Sequence, residues 1–168
     1  MKTKKIVLYG LMIAVAFVLS YAESLIPAFF AVPGMKLGLS NLVVIVALYL
    51  MGIKSAVIIN IIRVLLAALL FGNGMSLAYS MAGAVLSMAV MILLKKTGKF
   101  HTVVVSIAGG VFHNVGQIVV AMIVLQTKSI AWYLLVLWLT GIAAGAVIGV
   151  IGAILCSRLK NIFRKGLN

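Results

Sequence analysis

A chain of 168 residues that is 65% hydrophobic and 9% charged, with mean hydropathy +1.34, has too little polar surface to face water on all sides, which excludes a soluble domain. Fourteen bases stand against a single acid, Glu23, for a net charge of +13, which excludes chemistry built on paired carboxylates. In a membrane chain such an excess of Lys and Arg reports topology rather than a nucleic-acid partner.

Long apolar runs such as 43–50 and 148–155 do not alternate polar with apolar residues, as a membrane β-strand would. The chain therefore reads as an all-α membrane protein, a single domain over 1–168 built as a bundle of six transmembrane helices. The spans are predicted at about 6–26, 39–51, 53–71, 75–94, 102–126 and 130–156.

The N-terminal MKTKK followed by an apolar run resembles a signal peptide, and Ser20-Tyr21-Ala22 imitates a cleavage site. The run 6–22 is nevertheless longer than an h-region of about 7–15 residues, so it is read as the first span. Gly10 and Ala14 lie one above the other on that span, a small-xxx-small face suited to close helix approach or to docking another subunit. The segment 27–38, PAFFAVPGMKLG, holds both prolines and is too apolar for an ordinary exposed loop. Irregular backbone at membrane depth must be buried in protein or line a cavity, so a re-entrant lid is expected here.

Residues 39–71 form one nearly continuous apolar run, interrupted at Gly52-Ile53-Lys54-Ser55. Split there, the first half is about 20 Å long, short of a hydrocarbon core of roughly 30 Å. Charge decides the split. With six spans and both termini cytoplasmic, eleven bases fall in inner segments, only Lys36 and Lys128 fall outside, and Arg63 falls within a span. Fusing the pair would send Lys95, Lys96, Lys99 and the basic tail outward, against the positive-inside rule.

The fourth span carries Ser76, Ser80 and Ala84 on one face, and the sixth carries Gly141, Gly145 and Gly149; both read as helix-packing faces. Trp132 and Tyr133 read as interface-belt aromatics. Cys156 is the lone cysteine and reads as a small apolar residue.

Polar residues inside the membrane are costly and mark function. Arg63 lies near mid-membrane, with Asn60 three residues earlier on the same face. His113, Asn114 and Gln117 cluster in the fifth span, Glu23 lies near the outer end of the first, Asn41 opens the second beside Ser40, and Tyr79 lies near the outer start of the fourth. These groups populate the outer half of the bundle, so a polar cavity opening outward is expected, with Lys36 contributed by the lid. Helix N-termini and the two bases give it a positive sign, favouring an anionic ligand. The rival reading of Arg63 is structural, bonded to helix carbonyls, Asn114 or Glu23. No metal site, cofactor motif, phosphate loop or hydrolase motif is present in the sequence.

The strings PGMKLGLSNLVVIVAL (33–48), RVLLAALLFGN (63–73) and GGVFHNVGQ (109–117) resemble the Gx transporters, a membrane family often labelled heptaprenyl diphosphate synthase component I. That family in turn resembles the substrate-binding S components of energy-coupling factor transporters. The resemblance implies a six-helix fold and a site near the outer face of a bacterial cell membrane, capped by the loop after the first helix. It implies a small vitamin-like or isoprenoid- or quinone-precursor substrate, and a T protein and two ATPases as partners. It also implies docking through AxxxA in the first helix, where this chain has Gly10 and Ala14. The alternative is a membrane subunit of a prenyl- or quinone-handling enzyme or electron-transfer complex. The synthase label conflicts with the residues, because diphosphate-bound Mg²⁺ needs hard oxygen ligands from Asp-rich motifs and this chain has no Asp.

Overall fold

The computed structural model describes residues 2–25, 38–127 and 132–167. Residues 27–37 of the expected lid over 27–38, Lys36 among them, and the outer Lys128 lie outside the described residues. Six helices run through the rest: α1 (Lys2–Leu25), α2 (Leu39–Leu50), α3 (Ile53–Phe71), α4 (Gly74–Thr97), α5 (Thr102–Leu125) and α6 (Tyr133–Leu167). Five of them are long and apolar enough to cross a membrane, and α2 is the shorter sixth. No strand occurs among the described residues.

The break between α2 and α3 falls at Gly52. Its φ of 93° and ψ of 173° occupy a region open to glycine alone, and its N–H returns to Ala47 O at 3.0 Å, so one residue reverses the chain. A Cβ at Gly52 would meet nothing within 4 Å, so conformation, not space, demands the glycine. At α4 the N-cap is Asn73, whose Oδ1 accepts from Ser76 N at 2.8 Å. Its other end closes on Gly98 in the left-handed region, with Lys95 and Lys96 in the last turn, where cations complement the helix dipole.

The helices close into a ring in the order α1–α3–α4–α5–α6–α2, with α2 also packed on α3. α2 is enclosed on all sides along its middle: Val43, Val44, Ile45, Val46, Ala47 and Leu48 are all buried. That explains an apolar run without amphipathic period, and why a helix of about 18 Å is tolerated. Its C-terminal carbonyl at Leu48 accepts from Lys95 Nζ of α4, and the ammonium also sits 5.1 Å from the Tyr49 ring centroid. Nearby, Tyr9 Oη and Ser55 Oγ share a 2.5 Å hydrogen bond between α1 and α3. This is the basic end of the bundle; every described Lys and Arg except Arg63 lies toward it.

Two kinds of packing divide the ring. α4, α5 and α6 meet through glycines at backbone contact. A Cβ on Gly110 would fall 2.6 Å from Gly141 O, one on Gly145 2.7 Å from Ile107 Cα, and one on Gly116 2.7 Å from Ala82 O. The glycine face of α6 thus packs against α5, as its spacing predicts. α1, α2 and α3 meet instead through large side chains such as Met12, Ile45 and Ile59. The sixth helix differs from expectation. It continues to Leu167 rather than ending near 156, and at about 52 Å it exceeds the bilayer core. The extension stays packed at the basic end because Phe163 is buried in the same core cluster as Met12.

Gly110→Ala should lower the melting temperature of the detergent-solubilised protein by an amount corresponding to about 1–3 kcal/mol of overpacking. Gly10→Ala, where a Cβ meets nothing within 4 Å, should leave it unchanged or raise it slightly through helix propensity. Equal effects of the two would contradict the close α5–α6 contact.

Candidate functional site

At the end opposite the basic one, α2 begins, α1 and α3 finish, and α4 starts. Arg63, on α3, is 7% exposed and points into this region. Its Nε donates to Asn60 Oδ1 at 3.0 Å, one turn earlier on the same helix. One terminal nitrogen donates to Ser40 Oγ at 2.5 Å, and the other to Asn41 Oδ1 at 2.7 Å, both in the first turn of α2. A guanidinium has five N–H groups, so two remain unengaged by the described residues. Asn60 is itself held, its Nδ2 donating to Ala84 O of α4 at 3.4 Å. Among the described residues, Arg63 is hydrogen-bonded to Ser40, Asn41 and Asn60 rather than to the helix carbonyls or Asn114 of the structural reading, while Glu23, the third partner expected there, acts on it through its charge.

Glu23, on α1, is 8% exposed. Its Oε1 accepts the backbone N–H of Gly38, the N-cap of α2, and its charge lies close enough to act on Arg63. The carboxylate therefore sits where the positive end of the α2 dipole emerges. Gly38 has φ 77° and is backed by Asn41 Nδ2, which a Cβ would meet at 3.0 Å. The chain turns into α2 there only with a glycine.

Two adjoining cavities share Glu23, Ser40, Arg63 and His113 as a common wall. The first, about 50 Å³, lies between α2, α5 and α6 and is lined further by Asn41, Ser87, Ser106, Asn114 and Gln117. Gly109, Gly110, Gly141 and Gly145 form its floor, so the backbone contacts that hold α5 against α6 also shape the cavity. The second, about 190 Å³, lies between α1, α3 and α4 and is lined further by Ser20, Ser24, Ser76, Ser80, Val64, Ala67, Ala68 and Phe71.

Of the residues singled out in the sequence, Glu23, Asn41, Arg63, His113, Asn114 and Gln117 come together around the first cavity. His113 sits against Gly83 of α4, where a Cβ would fall 3.0 Å from the imidazole. Asn114 also has a structural task, its Nδ2 donating to Leu137 O of α6 at 2.6 Å. Two of the expected residues line neither cavity. Asn60 lies behind Arg63 and positions it. Tyr79 is displaced by its neighbours on α4, because Ser76 and Ser80 take the cavity-facing positions. Those two serines were read from sequence as packing residues, and Ser20, Ser24, Ser87 and Ser106 were not singled out. A serine at helical spacing looks the same in sequence whether it faces a neighbour or a void.

Gly10 and Ala14 are exposed on α1, within a large apolar surface that includes Ile6, Val7, Leu11, Val15 and Val18. They do not pack inside this bundle. No cluster of three or more His, Cys, Asp or Glu capable of holding a metal occurs among the described residues.

No curated protein and no solved structure matches the chain. A family model described as heptaprenyl diphosphate synthase component I matches residues 12–155. That stretch takes in most of α1, all of α2 to α5 and the spanning part of α6, together with every residue that lines the two cavities. The fold and the matched family together fit a multi-pass, transporter-like membrane subunit, and the chain belongs to the heptaprenyl diphosphate synthase component I family, whose Gx transporter strings it carries.

Proposed function

We propose that the protein is the substrate-binding S component of an energy-coupling-factor-type uptake transporter in the bacterial cell membrane, and that it captures a small organic anion from the outer face. The observation that carries this reading is Arg63. A buried cation in a spanning helix costs about 2.5–3.5 kcal/mol. Its three hydrogen-bond partners among the described residues are neutral side chains, and it lies beside the N-terminus of α2, itself positive by about half a charge. Glu23 offsets part of that charge but also accepts from Gly38 N at the end of α2. Among the described residues, one guanidinium and one helix end stand against one carboxylate, which leaves the site positive with two N–H groups that no described residue engages. An anion completes it. Basic residues gather at the opposite end of the bundle, and the positive-inside rule then orients the cavities toward the outside.

The matched family's description names a synthase component, which favours a second reading: a membrane subunit of a prenyl-handling enzyme. The donor set argues against catalysis by this chain. Glu23 is its only carboxylate side chain, and it is bonded to a backbone amide. Binding of diphosphate-bound Mg²⁺ calls for several hard oxygen ligands. On either reading this chain contributes recognition, and the partner contributes the energy or the chemistry.

A thermal-shift screen of organic anions on the purified protein should yield a stabilising ligand. At a concentration of about 100 times Kd it should add about 2.7 kcal/mol. Arg63→Gln should weaken that ligand by about tenfold to a hundredfold, the range for hydrogen bonds to a charged group. Stabilisation that survives this substitution would overturn the site assignment.

The exposed small-residue step at Gly10 and Ala14 supports docking of a T protein there, with two ATPases beyond it. Gly10→Leu combined with Ala14→Leu should abolish copurification with ATPase subunits while ligand-induced stabilisation persists. Copurification with a prenyltransferase subunit in their place would favour the second reading.

A further inference from the structure

The two cavities differ in size and chemistry, and that difference limits what can occupy them together. The smaller, about 50 Å³, has glycine backbone and short polar side chains on its walls. It admits a few waters or one compact charged group. The larger, about 190 Å³, exceeds the roughly 150 Å³ that accommodates a six-membered aromatic ring. One of its walls is Phe71, whose ring stacks on Phe17 with centroids 5.2 Å apart and leans on Tyr21 at 5.0 Å. This braced aromatic face presents a flat apolar surface, with Val64, Ala67 and Ala68 continuing the wall along α3.

Two polar groups in the larger cavity, both on α1, have a defined sign. Ser20 Oγ donates to Ala16 O at 2.9 Å and Ser24 Oγ to Tyr21 O at 2.7 Å, so each hydroxyl has spent its proton on its own helix. What they offer a ligand is lone pairs. No charged side chain lines this cavity other than the shared wall of Glu23, Arg63 and His113. Among the described residues, Arg63 is the one Lys or Arg side chain common to both spaces.

We infer that the site takes a two-part ligand of the aryl-acid class, with a compact acidic group beside Arg63 in the smaller cavity and a single ring beside Phe71 in the larger one. This rests on the anion-binding reading above and adds the shape of the ligand to it. The shared wall of Glu23, Ser40, Arg63 and His113 places the acid and the ring side by side, as in a directly linked aryl acid. Ring substituents that donate hydrogen bonds suit the serine lone pairs of α1.

The test uses three carboxylates, each titrated at millimolar concentration into the full-length protein in nanodiscs: acetate, benzoate and hexanoate. Benzoate should bind at least about tenfold more tightly than acetate, and more tightly than hexanoate. Ala67→Phe, which fills the larger cavity, should collapse the preference for benzoate over acetate, and Ser80→Leu on α4 serves the same purpose should Ala67→Phe fail to fold. Equal affinities for benzoate and acetate, or a preference untouched by both variants, overturn the two-part site and leave the anion reading standing. Hexanoate binding as well as benzoate overturns the ring, as does the absence of benzoate binding. Benzoate binding that survives Arg63→Gln overturns the anion reading itself.

Discussion

The buried guanidinium of Arg63 is the constraint around which the far end of the bundle is organised. A cation at membrane depth must have its N–H groups engaged, because hydrocarbon offers no partners. Ser40 and Asn41 supply two of those partners, and both lie in the first turn of α2. α2 therefore starts level with Arg63, near the middle of α3. Its shortness follows: a helix that runs from this depth to Gly52 needs only about 18 Å. Glu23 fastens the same point from the other side through Gly38. Three helices are thus tied at one place.

The glycine contacts solve a different problem. In lipid, helices gain little from burying apolar side chains against each other, so association depends on close approach. α4, α5 and α6 reach backbone contact through Gly83, Gly110, Gly116, Gly141 and Gly145. α1, α2 and α3 have no comparable set of contacts and pack through bulky side chains. The site sits on the boundary between these halves, with Arg63 from the side-chain-packed half and His113, Asn114 and Gln117 from the glycine-packed half. A ligand that contacts Arg63 and Asn114 spans both.

Helix number and order were legible because each depends on a strong local signal. Gly52 and Lys54 divide a run that hydropathy alone would fuse, and the lysines at 95, 96 and 99 mark the end of an apolar run where Gly98 closes α4. The end of α6 was not legible, since loss of hydropathy after Cys156 does not mark the helix boundary; Ser157 to Lys165 contains no proline or glycine, and Gly166 comes one residue before the helix ends at Leu167. In the site, Arg63 and the 113–117 cluster stood out because they are expensive in lipid. Asn60 was misplaced by one layer: sharing a face with Arg63 at i, i+3 put it in contact with the guanidinium, and that contact holds it behind the cavity. Tyr79 and Ser80 are about 100° apart on α4, and that single step decides which of them meets the void. No periodicity resolves it, since α4 is apolar or small on every face.

The family's synthase description and the chain's composition can be reconciled once recognition is separated from chemistry. Diphosphate chemistry concentrates negative charge on substrate and metal ligands alike, and a protein that performs it must carry several carboxylates to hold the cation between them. This chain carries one, and that one lies at the N-terminus of α2, where it stabilises a helix end and moderates Arg63. Replacing it would alter the charge balance of the cavity rather than remove a metal ligand. On the anion-binding proposal, the wall of Glu23 and Arg63 shared by two small cavities would discriminate among charged molecules. The scarcity of acids that sets this sequence apart is thus also what keeps the site positive: a second carboxylate at this depth would satisfy Arg63 internally and leave nothing for a ligand to complete.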